Sequence, residues 1–189
     1  MKHRWLLTPS SPLPAADLAR QLTVSPLLAQ CLLNRGLLSP ETAAAFLNPR
    51  LRDLADPFLL PNMAAAVDRL LAARSAGEPV VIYGDYDVDG VTSTALVTEV
   101  LDSLGWCVSH FLPNRMDEGY GLSPDGIEHC LRHCPASLLL AVDCGSTAVE
   151  AIRALRARNV DVIVLDHHQI AAPPPEATAL VNPRLAGDK

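Results

Sequence analysis

Residues 79–94 read Pro79-Val-Val-Ile-Tyr-Gly84-Asp85-Tyr-Asp87-Val-Asp89-Gly90-Val-Thr-Ser-Thr94, an apolar run that stops in three alternating carboxylates and a glycine. Val80 to Tyr83 is β-branched and aromatic over the length of a strand, and Val91 to Leu104 has the spacing of a helix. The acids therefore fall in a strand-to-helix turn. In an open α/β sheet that is where ligands bind.

Working outward, the same alternation recurs. Asn62 reads as the cap of a helix running to about Ser75, with Gly77 as its stop. After the helix at Val91–Leu104, Trp106 to Leu112 reads as the next strand. Ser123-Pro124 then opens a helix to about His133, and Ser137 to Val142 is an apolar strand. Thr147 and Glu150 have the spacing of a capping box opening a helix to Arg158. Val160 to Leu165 is a further buried strand, and Thr178 to Val181 a last short one. This order predicts a parallel sheet with right-handed crossovers, flanked by helices. Residues 1–60 carry only helical patches, at Ala15–Leu22, Pro26–Asn34 and Pro40–Leu47, the last opened by the cap signature Ser39-Pro40-Glu41. The expected organisation is a small helical appendage over 1–60 and a main α/β domain over 61–189.

Composition narrows the chemistry. At 189 residues and 49% hydrophobic the chain can bury a sizeable core. No apolar stretch approaches the roughly 20 residues of a membrane span, and no signal-peptide pattern follows Met1, so no membrane association and a cytoplasmic location are expected. The five cysteines form no CxxC pair, which fits a reducing compartment. A formal net charge of -6 lacks the cationic footprint of a nucleic-acid binder. A polyanionic substrate would need bound metal, or a further region, to supply positive charge.

Three of the four longer strands run into acids at the same end: Asp85 after the first, Asp143 after the third, and Asp166-His167-His168 after the fourth. In a parallel sheet those ends share one edge, so Asp85, Asp87, Asp143 and Asp166 can converge with two imidazoles. Gathered without compensation, the carboxylates would raise one another's pKa. A divalent cation removes that cost, and oxygen plus imidazole donors suit manganese, magnesium or iron better than a thiolate-rich zinc site. Shared carboxylates allow two ions, an arrangement that hydrolyses phosphoesters. Gly90, at the helix start, would let a phosphate approach backbone N–H groups.

Other patterns compete with this one. Asp85, Asp87, Asp89 and Gly90 match the first positions of an EF-hand loop, but Leu96 stands where its bidentate glutamate belongs and a strand precedes it. An aspartate-nucleophile phosphatase also carries alternating aspartates after a strand, yet gives no role to Asp-His-His. His129, Cys130, His133 and Cys134 offer ligand types on one helix, a poor way to surround a tetrahedral ion. Cys144 reads as a small turn residue. In the loop Pro113–Gly121, Arg115 either clamps a phosphate or pairs with Asp117 or Glu118, and Tyr120 is placed to stack on a base.

Taken together, Gly84-Asp-Tyr-Asp-Val-Asp-Gly90, Leu140-Ala-Val-Asp143-Cys-Gly-Ser146 and Val164-Leu-Asp166-His-His168 resemble the first three motifs of the DHH phosphoesterase superfamily. The loop Pro113–Pro124, Val181-Asn-Pro183 and the helical start with Arg4-Trp5 narrow the resemblance to its RecJ single-strand-specific exonucleases. The resemblance implies a 5′-to-3′ exonuclease on single-stranded DNA in recombination and repair, using manganese or magnesium, with two ions in the complete enzyme. It implies Asp85, Asp87, Asp143 and His167 as metal ligands and His168 facing the scissile phosphate. Asp166 would orient the histidines. Single-strand-binding protein and repair helicases are implied partners. Members of that group are about three times as long, so this chain is expected to lack a fourth aspartate motif and later domains, and to be weak or inactive alone. Two other functions fit the motifs: hydrolysis of short oligonucleotides or small phosphoesters, and a non-catalytic nucleic-acid-binding or scaffold module.

Overall fold

The computed structural model describes residues 6, 8–114, 118–119 and 121–186. Packing divides the chain into two compact units, Met1–Ala55 and Asp56–Lys189. Among the described residues the first holds three α-helices, α1 (Pro12–Leu22), α2 (Pro26–Asn34) and α3 (Pro40–Leu47). Each begins on a proline, whose fixed φ suits the first helical turn. Ser25 and Ser39 cap the second and third by accepting the N–H of Leu28 and Thr42, both at 3.2 Å. Alanines dominate the contact surface, where Ala15, Leu18, Ala19, Ala29, Leu32 and Ala43 are buried together.

The second unit is a parallel five-stranded sheet with helices on both faces. Its elements are α4 (Met63–Ala76), β1 (Val80–Tyr83), α5 (Val88–Ser103), β2 (Val108–Phe111), α6 (Pro124–His133), β3 (Leu138–Val142), α7 (Val149–Ala157), β4 (Asp161–Leu165) and β5 (Ala179–Val181). The spatial order is β2-β1-β3-β4-β5, with every pairing parallel. Strand pleating sends alternate residues to opposite layers. Val81, Tyr83, Leu139, Ala141, Val162 and Val164 share a core with Ile127 and Cys130 of α6 and Ile152 and Leu155 of α7. Val80, Ile82, Leu138, Leu140, Val142 and Ile163 pack with Ala66 and Ala73 of α4 and Leu101 of α5. Every residue of β1 and β3 is buried. Such strands, covered on both faces, read as the continuous apolar runs seen in the sequence.

The chain order along the sheet reverses between β1 and β3, because β2 lies outward of β1 while β3, β4 and β5 step away on its other side. A crevice opens at the carboxyl ends of the strands at such a switch point. Asp85 and Asp87 follow β1 and Asp143 follows β3, so both sides of the crevice carry acids.

Some local expectations are corrected. Helix α5 starts at Val88 with Asp87 as its cap, three residues earlier than the expected Val91. The Thr147/Glu150 capping box does not form: Ala148 occupies the cap position without a side-chain bond, and Glu150 pairs instead with Arg153 at 2.7 Å. Asn62 sits at the start of α4 in the left-handed region and caps nothing, since its amide is committed to the Leu180 carbonyl at 2.8 Å.

Candidate metal centre

The turn after β1 is pressed against α5 by two glycines. A Cβ on Gly84 would lie 2.0 Å from Thr94 Oγ1, and one on Gly90 would lie 2.4–2.7 Å from the backbone of Asp85. Thr94 Oγ1 in turn donates to the Gly90 carbonyl at 2.8 Å. This contact buries Asp85 completely. One of its oxygens accepts the Tyr86 N–H at 2.8 Å, and the other, Oδ2, is buried without a hydrogen-bond partner. Asp87 is exposed and accepts the Gly90 N–H at 3.0 Å. That backbone hydrogen bond holds its carboxyl below the ordinary range.

At the end of β3, Asp143 adopts a left-handed conformation with φ of 60°, and its N–H remains tied to the Leu165 carbonyl at 2.9 Å. Its side chain is 6% exposed, and Oδ1 lies 3.1 Å from His167 Nε2 and 4.0 Å from His168 Nδ1. Oδ2 is a second buried carboxylate oxygen without a partner. Burial pushes the Asp143 carboxyl up, the Asp87 charge adds to this, and the two histidines oppose it.

Asp166, after β4, lies behind this pair. Its Oδ1 accepts the N–H of His167 at 2.7 Å, the N–H of His168 at 3.0 Å and Nδ1–H of His168 at 2.8 Å. Its Oδ2 accepts the Ser146 N–H at 3.0 Å. Burial pulls the Asp166 carboxyl up, but the bonds from His168 and Ser146 outweigh it and hold the group below its ordinary value. The same bond raises the His168 imidazole against the opposing effect of burial, with the charges of Asp166, Asp143 and Asp87 adding to the rise. A hydrogen bond from Nδ1 leaves Nε2 of His168 as the nitrogen available to a ligand.

The structure thus gathers Asp143, His167 and His168, whose ligand atoms lie within 4.8 Å of one another. Among the described residues this is the only cluster of histidine, cysteine or acidic side chains spaced to hold a metal ion. Asp85 and Asp87 stand beside this group of three, and the Asp87 charge acts on both Asp143 and His168. Two buried carboxylate oxygens without partners are costly, and they are what a hard cation would satisfy. Cys144, beside Asp143, is not among the grouped ligand atoms. Burial, reinforced by the charges of Asp166, Asp85 and Asp143, pushes its thiol well up. The available donors are oxygen and imidazole, which fit manganese or magnesium.

Other expected site residues are placed differently. Gly90 offers no N–H to a phosphate, because Asp87 takes that N–H and the Gly90 Cα is packed on Asp85. Asp89 is exposed in the first turn of α5. Arg115 and Tyr120 lie outside the described residues. In the α6 group, His129 pairs with Glu118 and His133 Nδ1 lies 2.9 Å from the His129 carbonyl. Cys130 is buried in the core, which pushes its thiol up to about 12. These residues build no metal site. Ser146, Asn182 and Arg184 were given no role from sequence, yet all three bond to the histidine turn. The signals in the sequence are Ser146 closing the Asp143 motif and Asn182 within Val181-Asn-Pro183, and neither carries a role by itself.

Comparison with known proteins supplies a second line of observation. The sequence profile of the DHH family, N-terminal domain, matches residues 79–189. The single-stranded-DNA-specific exonuclease RecJ of Bacillus subtilis is 36% identical over 186 residues, covering 98% of this chain and 24% of that protein. RecJ of Thermus thermophilus is 39% identical over 156 residues, covering 79% of this chain and 23% of that protein. Among solved structures, exonuclease RecJ bound to manganese superposes with a TM-score of 0.65 at 35% identity, over 72% of this chain and 34% of that one. The Thermus thermophilus RecJ in complex with Mn2+ superposes with a TM-score of 0.67 at 30% identity, over 96% of this chain and 25% of that one. The chain spans about a quarter of the length of the curated relatives it matches.

Proposed function

This chain belongs to the DHH family, and from that premise we propose that it is the N-terminal part of a RecJ-type exonuclease, hydrolysing phosphodiester bonds of single-stranded DNA from the 5′ end. The observation that carries the proposal is the Asp143–His167–His168 cluster at the sheet's switch point, bordered by buried, partnerless oxygens of Asp85 and Asp143. RecJ relatives are described as single-stranded-DNA-specific exonucleases, and solved ones carry Mn2+ or Mg2+. Repair and recombination in the cytoplasm, with single-strand-binding protein and helicases as partners, follow from that kinship as part of the proposal.

Asp85, Asp87, Asp143 and His167 would hold manganese or magnesium, two ions in the complete enzyme. When bound, such ions supply Lewis acidity and an activated water. His168 keeps its Nδ1 proton against Asp166, which leaves Nε2 for a ligand, and carries positive charge further toward neutral pH than a free imidazole. That suits it to a phosphate oxygen. Asp166 holds the His168 ring and the backbone of both histidines in place and takes no part at the substrate. The Asp87 side chain and the His167 ring, 62% exposed, stand open to solvent, so these 189 residues by themselves bind manganese weakly and cleave poorly.

Two measurements test the proposal. Electron paramagnetic resonance of free Mn2+ is expected to show weak binding by the chain, reduced about tenfold or more in Asp87→Asn. Unchanged affinity in that variant would remove the centre of the reading. A RecJ-length protein carrying this chain is expected to release nucleotides from 5′-phosphorylated single strands, to stop on addition of EDTA, and to prefer a long strand to a dinucleotide. Preference for the dinucleotide would move the assignment to small phosphoesters.

A further inference from the structure

The segment after β5 reaches back to the histidine turn. Asn182 is wholly buried. Its side-chain nitrogen donates to Ser146 Oγ at 2.8 Å and to the His168 carbonyl at 3.0 Å, and its side-chain oxygen accepts the Arg184 N–H at 2.9 Å. Arg184 Nε donates to the His167 carbonyl at 2.9 Å. From the opposite side, Asp166 Oδ1 accepts the N–H of His167 and of His168. Both N–H groups and both carbonyls of the histidine pair are therefore held by side chains. The pair lies outside every helix and strand, so no ladder holds its backbone in place.

We infer that Asn182 is a positioning residue for the metal centre, holding the backbone of His168 and, through Ser146, the loop that presents an N–H to Asp166. The inference rests on the metal-centre reading given above. Only an amide meets the demands of this position, since its nitrogen donates twice while its oxygen accepts once. An aspartate of the same shape lacks the donor. It would set a buried charge against the His168 carbonyl, acceptor against acceptor, and Ser146 could meet it only by turning its hydroxyl proton away from Asp166. Outer hydrogen-bond partners of metal-binding histidines fix ring orientation. Here that orientation brings His167 Nε2 to Asp143 and His168 Nδ1 to Asp166.

The test uses the 189-residue chain carrying Asn182→Asp or Arg184→Ala. One readout is Mn2+ affinity by electron paramagnetic resonance. The other, on the metal-free chain at a pH where the rings are neutral, is the His168 tautomer from ring-nitrogen correlation spectra. The unsubstituted chain should show the Nδ1–H form that the Asp166 bond selects. Asn182→Asp should lose about 10–100-fold in Mn2+ affinity and show mixed tautomers. Arg184→Ala, changing an exposed side chain, should lose less affinity and stay folded. If Asn182→Asp does not fold, Asn182→Ser takes its place with the same expectation. Wild-type affinity and tautomer in the folded variants would overturn the inference. A chain that binds no Mn2+, yet loses the Nδ1–H form on substitution, would sink the metal reading and leave the positioning role standing.

Discussion

Asp166 shows how one carboxylate can serve a site without touching its ligand. It is buried, accepts from two backbone N–H groups of the histidine turn and from the His168 ring, and is held from its far side by Ser146. The linkage has two limbs of opposite sign. Asp166 lies below its ordinary value of 3.8, so its contribution to stability is present above that value and is lost as pH falls through the lower folded one. His168 lies above its ordinary 6.5, so its contribution is complete below 6.5 and is lost as pH rises through the higher folded one. The melting-temperature gap between the wild type and Asp166→Asn should therefore be widest between these two ordinary values and shrink on both sides. Thermal melts across that range check it, and a gap that does not change with pH would rule the linkage out. Asp85, Asp143 and the histidines are legible because each lies within three residues of the end of an apolar run. The service given by Asn182 and Ser146 was not, since buried hydrogen bonds across the fold leave no mark in a local pattern.

At the scale of elements, the start of α5 decides the site. Val88-Asp89-Gly90 reads as loop because it combines a charge with a glycine, yet Asp87 caps there and the helix begins at Val88. Gly90 is required by packing: a Cβ would meet the Asp85 backbone at 2.4–2.7 Å, atoms that cannot rotate away. Gly90→Ala should destabilise the domain by about 1–3 kcal/mol, as overpacking does, and displace Asp85 and Asp87 together. Chemical denaturation alongside Mn2+ titration would detect both effects, and an unchanged midpoint would show that α5 can lift off the strand freely. The Thr147/Glu150 box failed for a related reason. The chain turns at Gly145, with φ of 107°, to bring Ser146 to Asp166, so the helix opens at Val149 and Thr147 is not at its cap.

For the molecule as a whole, charge and topology both weigh against a polyanion in the absence of metal. A net charge of -6 repels a polyanion, while the sheet edge gathers more acids at the very place where a phosphate would sit. The metal-free chain should accordingly bind a 5′-phosphorylated single strand more weakly than about 10⁻⁴ M. Added Mn2+ should tighten binding, and fluorescence anisotropy with and without EDTA measures the difference. Tight binding without metal would mean that a cationic surface, not the acidic edge, receives the strand. What the sequence by itself determined is local: which runs are strands and helices, that the inner strands are covered on both faces, and that acids follow three of the strands. These are set by side-chain periodicity and turn chemistry within a few residues. Only the tertiary structure decided that β1 lies between β2 and β3, which of the acids and histidines meet, and that Asn182, directly after β5, supplies the amide holding His168. Neighbour order and buried hydrogen bonds are settled by the packing of distant segments, and no short window of sequence contains both partners.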